Sequence, residues 1–542
     1  MKRITMIGDV GWSRFYHLGD EAMTELAIDA LRDRTEVEIT LIAGDPQHAA
    51  EMYGVDTIAR IGFKREREPN LARMERVLAF AESDGARGGL RPNDPARTVI
   101  EAIRDSDAVL IAGGGNLNSM FAHHIYERVT LGRLAKLFGK PYALTSQTLG
   151  PLIYDEDRKL VYEFLADAEF LGSRESYTTR FAKEVGGKRA VIRRQVDDAF
   201  SLEARDEDRH AVADLVKEPF IVASFAEKAS SPVLSDADYH AHLVDITRQL
   251  SEETGLTLLL VPHGGGLPPA APTRDQLTND QIVAEVSRSN VISTRMLTAR
   301  ELVALTEEAE FVIGTRYHAG IFAGAAGVPF ISLVPNLYSS IRMRGAAENV
   351  GMEQFVLPVE SVDDIVRTGV GVSQSRDEFR AALKDSSARR RAEHAEWWDF
   401  VVAHTIGVDS GEKPSASSVP APGFFHADEL ANRFDSAPSA NRARLSAIEE
   451  YGLLLAKRDR QLAVARQKAK EVTQALEVSN ARHERQDSML SVRAARRVRG
   501  WQRKFKRGVR RGAKAAVRHI GELSSKSVRK TKWSQAPAGA IE

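Results

Sequence analysis

Gly314-Thr315-Arg316-Tyr317-His318-Ala319-Gly320 places a guanidinium and an imidazole two residues apart. An arginine suits phosphate or carboxylate, and a histidine moves a proton near neutral pH. The pair reads as chemistry on an anionic substrate. An apolar run, Phe311-Val312-Ile313, precedes it, and a small-residue helix pattern, residues 321–327, follows. The pair therefore sits where a buried strand hands over to a helix. That is the end of a parallel sheet at which open α/β folds bind ligands.

Other loops carry chemistry of the same kind. Gly8-Asp9-Val10-Gly11 closes the first strand pattern, and Leu18-Gly19-Asp20-Glu21-Ala22 opens a helix. Glycines there let backbone N–H groups approach a ligand, and the helix offers its positive end. The plainer reading is that Asp20 caps that helix. Gly113-Gly114-Gly115-Asn116 follows another apolar run and permits close approach of an anion or a sugar, or simply a tight turn. Thr145-Ser146-Gln147-Thr148 offers polar side chains for hydroxyls at a further strand end, before the turn residues Gly150-Pro151. Arg174, in Ser173-Arg174-Glu175-Ser176, either reaches into a cleft or forms a surface ion pair. His263, before Gly264-Gly265-Gly266, either binds a sugar or is a structural histidine. Asp105-Ser106-Asp107 has the look of a metal-binding pair, but it precedes its strand and so belongs to the wrong end of the sheet. Neither GxGxxG nor GxxxxGK[ST] occurs, which weighs against dinucleotide and P-loop binding.

These loops must be held by regular elements, and the pattern supplies them. Short apolar runs at residues 4–7, 37–42, 108–111 and 142–146 alternate with helical spacing at 20–31, 125–138 and 155–165. The region 64–104 is Arg-rich, helical and irregular. A second series has strands at 220–224, 257–261, 291–292, 311–313 and 330–333, with helices between. Such alternation predicts parallel sheets covered by helices. The expected organisation is an α/β domain at 1–205, a second at 215–360, and helices at 361–405 packing back on both. A Pro- and Ser-containing linker (406–441), a long helix with a possible coiled coil (442–490) and a basic amphipathic tail (491–542) complete it.

At 542 residues the chain is too long for one core. It contains no cysteine, which excludes disulfides, thiolate catalysis and Cys-ligated metal. A formal net charge of zero conceals a segregated tail: residues 491–533 hold sixteen Lys or Arg and one acid. Val498, Trp501, Phe505, Val509, Ala513, Val517 and Ile520 fall on one helical face of it. An apolar face with Trp and Phe flanked by cations is the pattern of an interfacial membrane helix. Nucleic-acid phosphates are the alternative partner. The chain opens directly on a strand pattern without a signal-like stretch. The expectation is a cytoplasmic protein, peripheral on the inner face of the plasma membrane.

Taken in order, LGDEA (18–22), GGGN (113–116), GKPYALTSQTLGP (139–151), SRES (173–176), DDAF (197–200), VPHGGG (261–266) and GTRYHAGIFAGAAGVPFIS (314–332) resemble the polysaccharide pyruvyl transferase family. The resemblance spans about residues 1–360. It implies two Rossmann-like domains facing a cleft, as in GT-B glycosyltransferases. It also implies transfer of the pyruvyl group of phosphoenolpyruvate to a sugar of a polysaccharide or its lipid-linked precursor, leaving a ketal and phosphate. Carried over, Arg316 and His318 are the catalytic pair and Arg174 reaches the donor. Gly19, Asp20, Gly114, Gly115, Asn116, Gln147, His263, Thr315 and Asn336 are the remaining substrate-binding candidates. No metal or cofactor is expected beyond phosphoenolpyruvate as donor substrate. Expected partners are that donor, a glycan or lipid-linked glycan, an anionic membrane through 491–533, and self-association through 442–490. The sequence departs from the family at His17, where Asn is frequent, and in Pro335-Asn336-Leu337-Tyr338-Ser339-Ser340, which lacks a lysine; Arg342 or Arg344 stands nearby to replace it. Two other readings are a nucleotide-sugar GT-B glycosyltransferase and a non-catalytic scaffold.

Overall fold

The structure, a computed structural model, describes residues 1–11, 15–65, 68–215, 218–231 and 234–407, with helical positions at 445, 458, 461–462, 465–466, 468–469, 471–474, 499–509 and 511. The chain divides into two compact units, Met1–Ala456 and Lys457–Glu542. The linker and most of the long helix and tail expected from the sequence lie outside the described residues.

Within the first unit, apolar runs buried on both faces become two parallel sheets. The first runs in the spatial order Asp56–Ala59, Val37–Ala43, Lys2–Ile7, Ala108–Ile111, Tyr142–Leu149, Leu171–Ser173, Ile192–Arg194, with Gly114–Leu117 pairing beside Tyr142–Leu149. The second runs Val291–Ser293, Thr257–Leu260, Phe220–Ser224, Phe311–Gly314, Phe330–Val334, Val356–Pro358. By order of appearance each sheet begins with its third, second and first strands and continues with its fourth. That is the doubly wound Rossmann order, with a crevice where the winding reverses. In the first sheet the reversal falls between Lys2–Ile7 and Ala108–Ile111, registered Ile4 to Ala108. In the second it falls between Phe220–Ser224 and Phe311–Gly314, registered Ile221 to Phe311. The two-domain α/β architecture expected from the sequence is thus present.

Alternation along the strands divides the core. Ala108–Ile111 sends Leu110 into one apolar cluster and Val109 and Ile111 into another. The first cluster is continuous from Met6 of one sheet through Phe200 to Phe322 and Val312 of the other. The helix Arg376–Thr405 extends it, with Trp397 edge-on to Phe170 at 5.3 Å and Trp398 buried. A two-stranded antiparallel ribbon, His17 to Gly264 and Tyr16 to Gly265, ties the halves at the cleft, and Leu18 N–H donates to His263 C=O at 3.1 Å.

Strands absent from the sequence reading are short and include Tyr16–His17, Asp56–Ala59, Gly114–Leu117, Ile192–Arg194, Gly264–Gly265 and Val356–Pro358. The irregular region resolves into Glu68–Glu82 and Pro95–Asp105. Asp94 caps the latter, accepting from Ala96 N–H at 3.0 Å, while Pro95 takes the first helical position. Asp107 accepts from Arg3 N–H at 2.8 Å at the N-terminal edge of the sheet, away from the cleft.

Candidate active site

Both crevices open at the carboxyl ends of their strands, and the loops there carry nearly every side chain singled out above. Gly314 ends its strand so close to its neighbour that a Cβ would lie 2.3 Å from Ser224 O. Thr315 then turns inward, its hydroxyl accepting from Ala226 N–H at 2.8 Å and lying 2.9 Å from Tyr239 Oη. Its hydroxyl is therefore held within the protein. Arg316 immediately precedes the helix Tyr317–Ala326, so its side chain leaves the sheet edge just as the chain turns.

Arg316 is 28% exposed and its Nη2 pairs with the fully buried Asp275. The other oxygen of Asp275 accepts from His263 N–H at 3.1 Å. His263 lies 5% exposed with Nε2 2.9 Å from Ser224 Oγ. Burial first, then Arg316 and His318, hold its pKa well below the usual histidine range. His263 is thus a neutral support beneath Arg316.

His318 reaches across to the first half. Its Nε2 is 3.7 Å from Asp197 Oδ2, and a Cβ on Gly19 would fall 1.7 Å from its Nδ1. Gly19 is therefore the seat of the imidazole, and only a residue without a side chain admits the ring. Asp197 also receives Arg174 Nη1 at 2.6 Å. Burial would raise the carboxyl's pKa, but Arg174 and then His318 outweigh it and hold Asp197 below the usual carboxylate range. Arg174 is 1% exposed, donating also to Thr148 Oγ1 at 2.8 Å and standing 4.5 Å from the Tyr317 ring centroid. Of the two readings the sequence leaves open, the surface ion pair is excluded by burial, and the guanidinium charge is spent on Asp197 and Glu175.

On the other side of the crevice, Asp9 is the hub. Arg128 and Arg60 donate to it at 2.5 and 2.6 Å, Asn116 donates as well, and His124 Nδ1 stands 3.3 Å away. Burial is the largest influence on Asp9, yet Arg128, His124 and Arg60 together hold it well below the usual carboxylate range. Gly114 lies beside this hub, while Gly115 C=O accepts from Tyr338 Oη at 2.5 Å across the cleft. Asp20 occupies the first turn of the helix Leu18–Arg32, and burial followed by the charge of Asp9 pushes its pKa up to about 6. Neighbouring His17 is pushed down to about 4 by burial and then Arg316.

Two candidates do other work. Gln147 is fully buried and its amide donates to Ala112 C=O at 2.7 Å and Thr145 C=O at 2.8 Å, tying strand ends together. Asn336 caps the helix Leu337–Glu348, accepting from Ser339 N–H at 2.9 Å and donating to Ala229 C=O at 2.6 Å. Conversely, Asp275, Tyr338 and Arg342 escaped the sequence reading as site residues or were left open. Arg342 lies 4.0 Å from the Tyr338 ring centroid and 5.6 Å from that of Tyr317. Asp197 stood in the quoted DDAF stretch, the one signal that pointed to it. Among the described residues no group of three or more His, Asp or Glu side chains is set to hold a metal ion.

Two Rossmann-like sheets meeting at opposed crevices, with an Arg and a His at the second, define a GT-B-like α/β fold with a candidate site at its cleft. The family model described as polysaccharide pyruvyl transferase matches residues 17–336, and the chain belongs to that family. No curated protein matches significantly. Among solved structures, a UDP-N-acetylglucosamine 2-epimerase from Neisseria meningitidis bound to UDP-GlcNAc aligns at 10% identity and TM-score 0.47, covering 75% of this chain and 100% of that one. The epimerase of Methanocaldococcus jannaschii aligns at 12% and 0.45, covering 68% and 92%. A glycosyltransferase from Rickettsia africae aligns at 10% and 0.42, covering 74% and 98%.

Proposed function

We propose that the protein transfers the pyruvyl group of phosphoenolpyruvate to a glycan or lipid-linked glycan, forming a pyruvate ketal and releasing phosphate, without a further cofactor. The observation that carries this is the Arg316–His318 pair at the second crevice. One of its members is backed by Asp275 and the other faces Asp197 of the opposite half. Family membership supports the same reaction class.

Phosphoenolpyruvate presents a carboxylate and a phosphate. Arg316 holds one of them by charge-assisted hydrogen bonds, with Asp275 fixing the guanidinium plane. Arg174 acts on the donor chiefly through Asp197, and Arg342, exposed to the aromatic pair Tyr317 and Tyr338, supplies a further cation at the acceptor side. His318 gives a proton to the methylene carbon. This leaves an oxocarbenium-like centre that an acceptor hydroxyl attacks, and a second hydroxyl closes the ring as phosphate leaves. The decisive assay incubates the protein with phosphoenolpyruvate and a panel of glycan acceptors and follows phosphate release and acceptor mass. Nucleotide release from a nucleotide sugar, with no phosphate from phosphoenolpyruvate, overturns the reading.

In the second unit, the helix at residues 499–509 exposes Trp501 and Phe505, stacked at 5.6 Å, among Arg503, Lys504, Lys506 and Arg507. We read this face as docking on an anionic membrane, which would concentrate a lipid-linked acceptor. No helix of the described residues is long and apolar enough to cross a membrane. Co-sedimentation of the full chain with vesicles containing phosphatidylglycerol, but not with neutral vesicles or a duplex oligonucleotide, is the expected result.

A further inference from the structure

Ketal formation removes two hydroxyl protons from the acceptor, and the reaction assigned so far names no group to receive the first. The acidic side chains around the cleft differ sharply in what they already hold. Asp9 is taken by two arginines and Asn116. Glu21 accepts from Tyr53 and from Gly11 N–H, and Glu175 from Thr148 and Thr178. Asp197 holds Arg174, and Asp275 holds Arg316. Asp20 is the exception. Among the described residues its carboxylate accepts no hydrogen bond, and the nearest basic group is the His17 imidazole at 3.8 Å, which is neutral near pH 7. Its side chain is 22% exposed, so it is neither sealed nor freely solvated. Gly19, the preceding residue, is in contact with the His318 ring. A carboxylate without a charged partner thus stands one residue from the seat of the imidazole and within reach of its charge, in a cleft where its neighbours are paired.

We propose that Asp20 is the general base that accepts the proton of the attacking acceptor hydroxyl. The inference rests on the phosphoenolpyruvate reading above. As the hydroxyl oxygen bonds to the central carbon of the donor, its proton passes to Asp20 while His318 delivers a proton to the methylene carbon. The second hydroxyl then bonds to the same carbon, and the carbon–oxygen bond to phosphorus breaks, its electron pair leaving with phosphate. Of the two hydroxyl protons, one restores His318 and the other departs on phosphate, so atoms and charge balance. The charged and titratable groups that interact electrostatically with Asp20 are Asp9 from the loop after Lys2–Ile7, Arg128 from the helix Ala122–Leu137, Arg174 at the end of Leu171–Ser173, His318 from the helix Tyr317–Ala326, Tyr338 from the helix Leu337–Glu348, and His17 and Glu21 beside it. Burial and Asp9 lift its pKa to about 6 against the three cations, which suits a base working near neutrality.

The test uses the full chain, phosphoenolpyruvate and p-nitrophenyl glycosides, with phosphate release measured from pH 5 to 9. The wild type is expected to show an acid limb near pH 6. Asp20→Asn is expected to lower kcat by about 10²–10³-fold, leave KM for phosphoenolpyruvate within about threefold, and abolish that limb. Asp20→Glu, which keeps a carboxylate, is expected to restore part of kcat and the limb. It serves as the deciding variant if Asp20→Asn fails to fold by circular dichroism. An Asp20→Asn protein with wild-type kcat and an unchanged limb overturns the assignment. So does a folded Asp20→Glu protein lacking the limb. Absence of phosphate release by the wild type with every acceptor instead overturns the donor reading, and this inference with it.

Discussion

The two crevices of this molecule are built on the same strand order but manage charge in opposite ways. At the first, Arg128 is fully buried, Arg60 is 8% exposed, and both are consumed by Asp9. At the second, Arg316 keeps 28% of its side chain exposed and His318 keeps 12%, each with a carboxylate behind it instead of around it. Buried, fully matched charges lock a shape, since removing one partner leaves the other uncompensated. Partly exposed charges backed on one side remain available to a ligand. On the proposed reading, one crevice serves as a wall and the other as the working face, and Asp20 is the element of the wall that resembles the working face.

Four variants separate the two crevices. His318→Gln should act at the working face alone: turnover falls by about 10²–10⁴-fold while the melting temperature stays near that of wild type. Unaltered turnover in a phosphate-release assay would remove His318 from the chemistry. Arg128→Met should do the reverse, leaving Asp9 without its closest cation. Urea denaturation is expected to show a loss of about 3–5 kcal/mol, the usual cost of breaking a buried pair. A loss below about 1 kcal/mol would mean that the wall is not held by this hub.

Gly19→Ala probes the joint between the two faces. Its methyl group would occupy the position of the His318 ring. The expected result is a fall in kcat of roughly 10–100-fold as the imidazole is displaced by about 1 Å or more, with intact secondary structure. Wild-type kcat would show that His318 works from another position. Asn336→Ala has the smallest expected effect. Because both ends of the amide serve the backbone, stability should drop by about 1 kcal/mol with KM values unchanged. A raised KM for phosphoenolpyruvate with unchanged stability would return Asn336 to the substrate-binding set.

Strands such as residues 108–111 and 311–313 are legible because a strand covered on both faces must be continuously apolar, and little else in a soluble chain is. The loops that follow are legible for the same reason: a glycine run or an Arg–His pair after such a strand has to lie at the sheet's carboxyl edge. Asp56–Ala59 is not legible because it is a half-exposed, partly polar edge strand, and Ile192–Arg194 because two of its three residues are arginines, although Ile192 and Arg194 are buried. Thr315, Gln147 and Asn336 lie where the sequence places them, at strand ends. Whether a hydroxyl or amide there turns to the ligand or to the backbone depends on which orphaned N–H or C=O groups stand within reach, and that is a property of the packing.

By itself the sequence determined the local facts: which segments are buried strands, that two α/β halves follow one another, and that Arg316 and His318 share one strand end. The tertiary structure alone decided the partners. Asp275 meets Arg316, Asp197 meets both Arg174 and His318, Gly19 receives the His318 ring, and Tyr338 meets Gly115. The physical reason is that these contacts join segments far apart in the chain. Their distances are set by strand register and by one continuous apolar core that docks the two sheets, not by any spacing along the sequence.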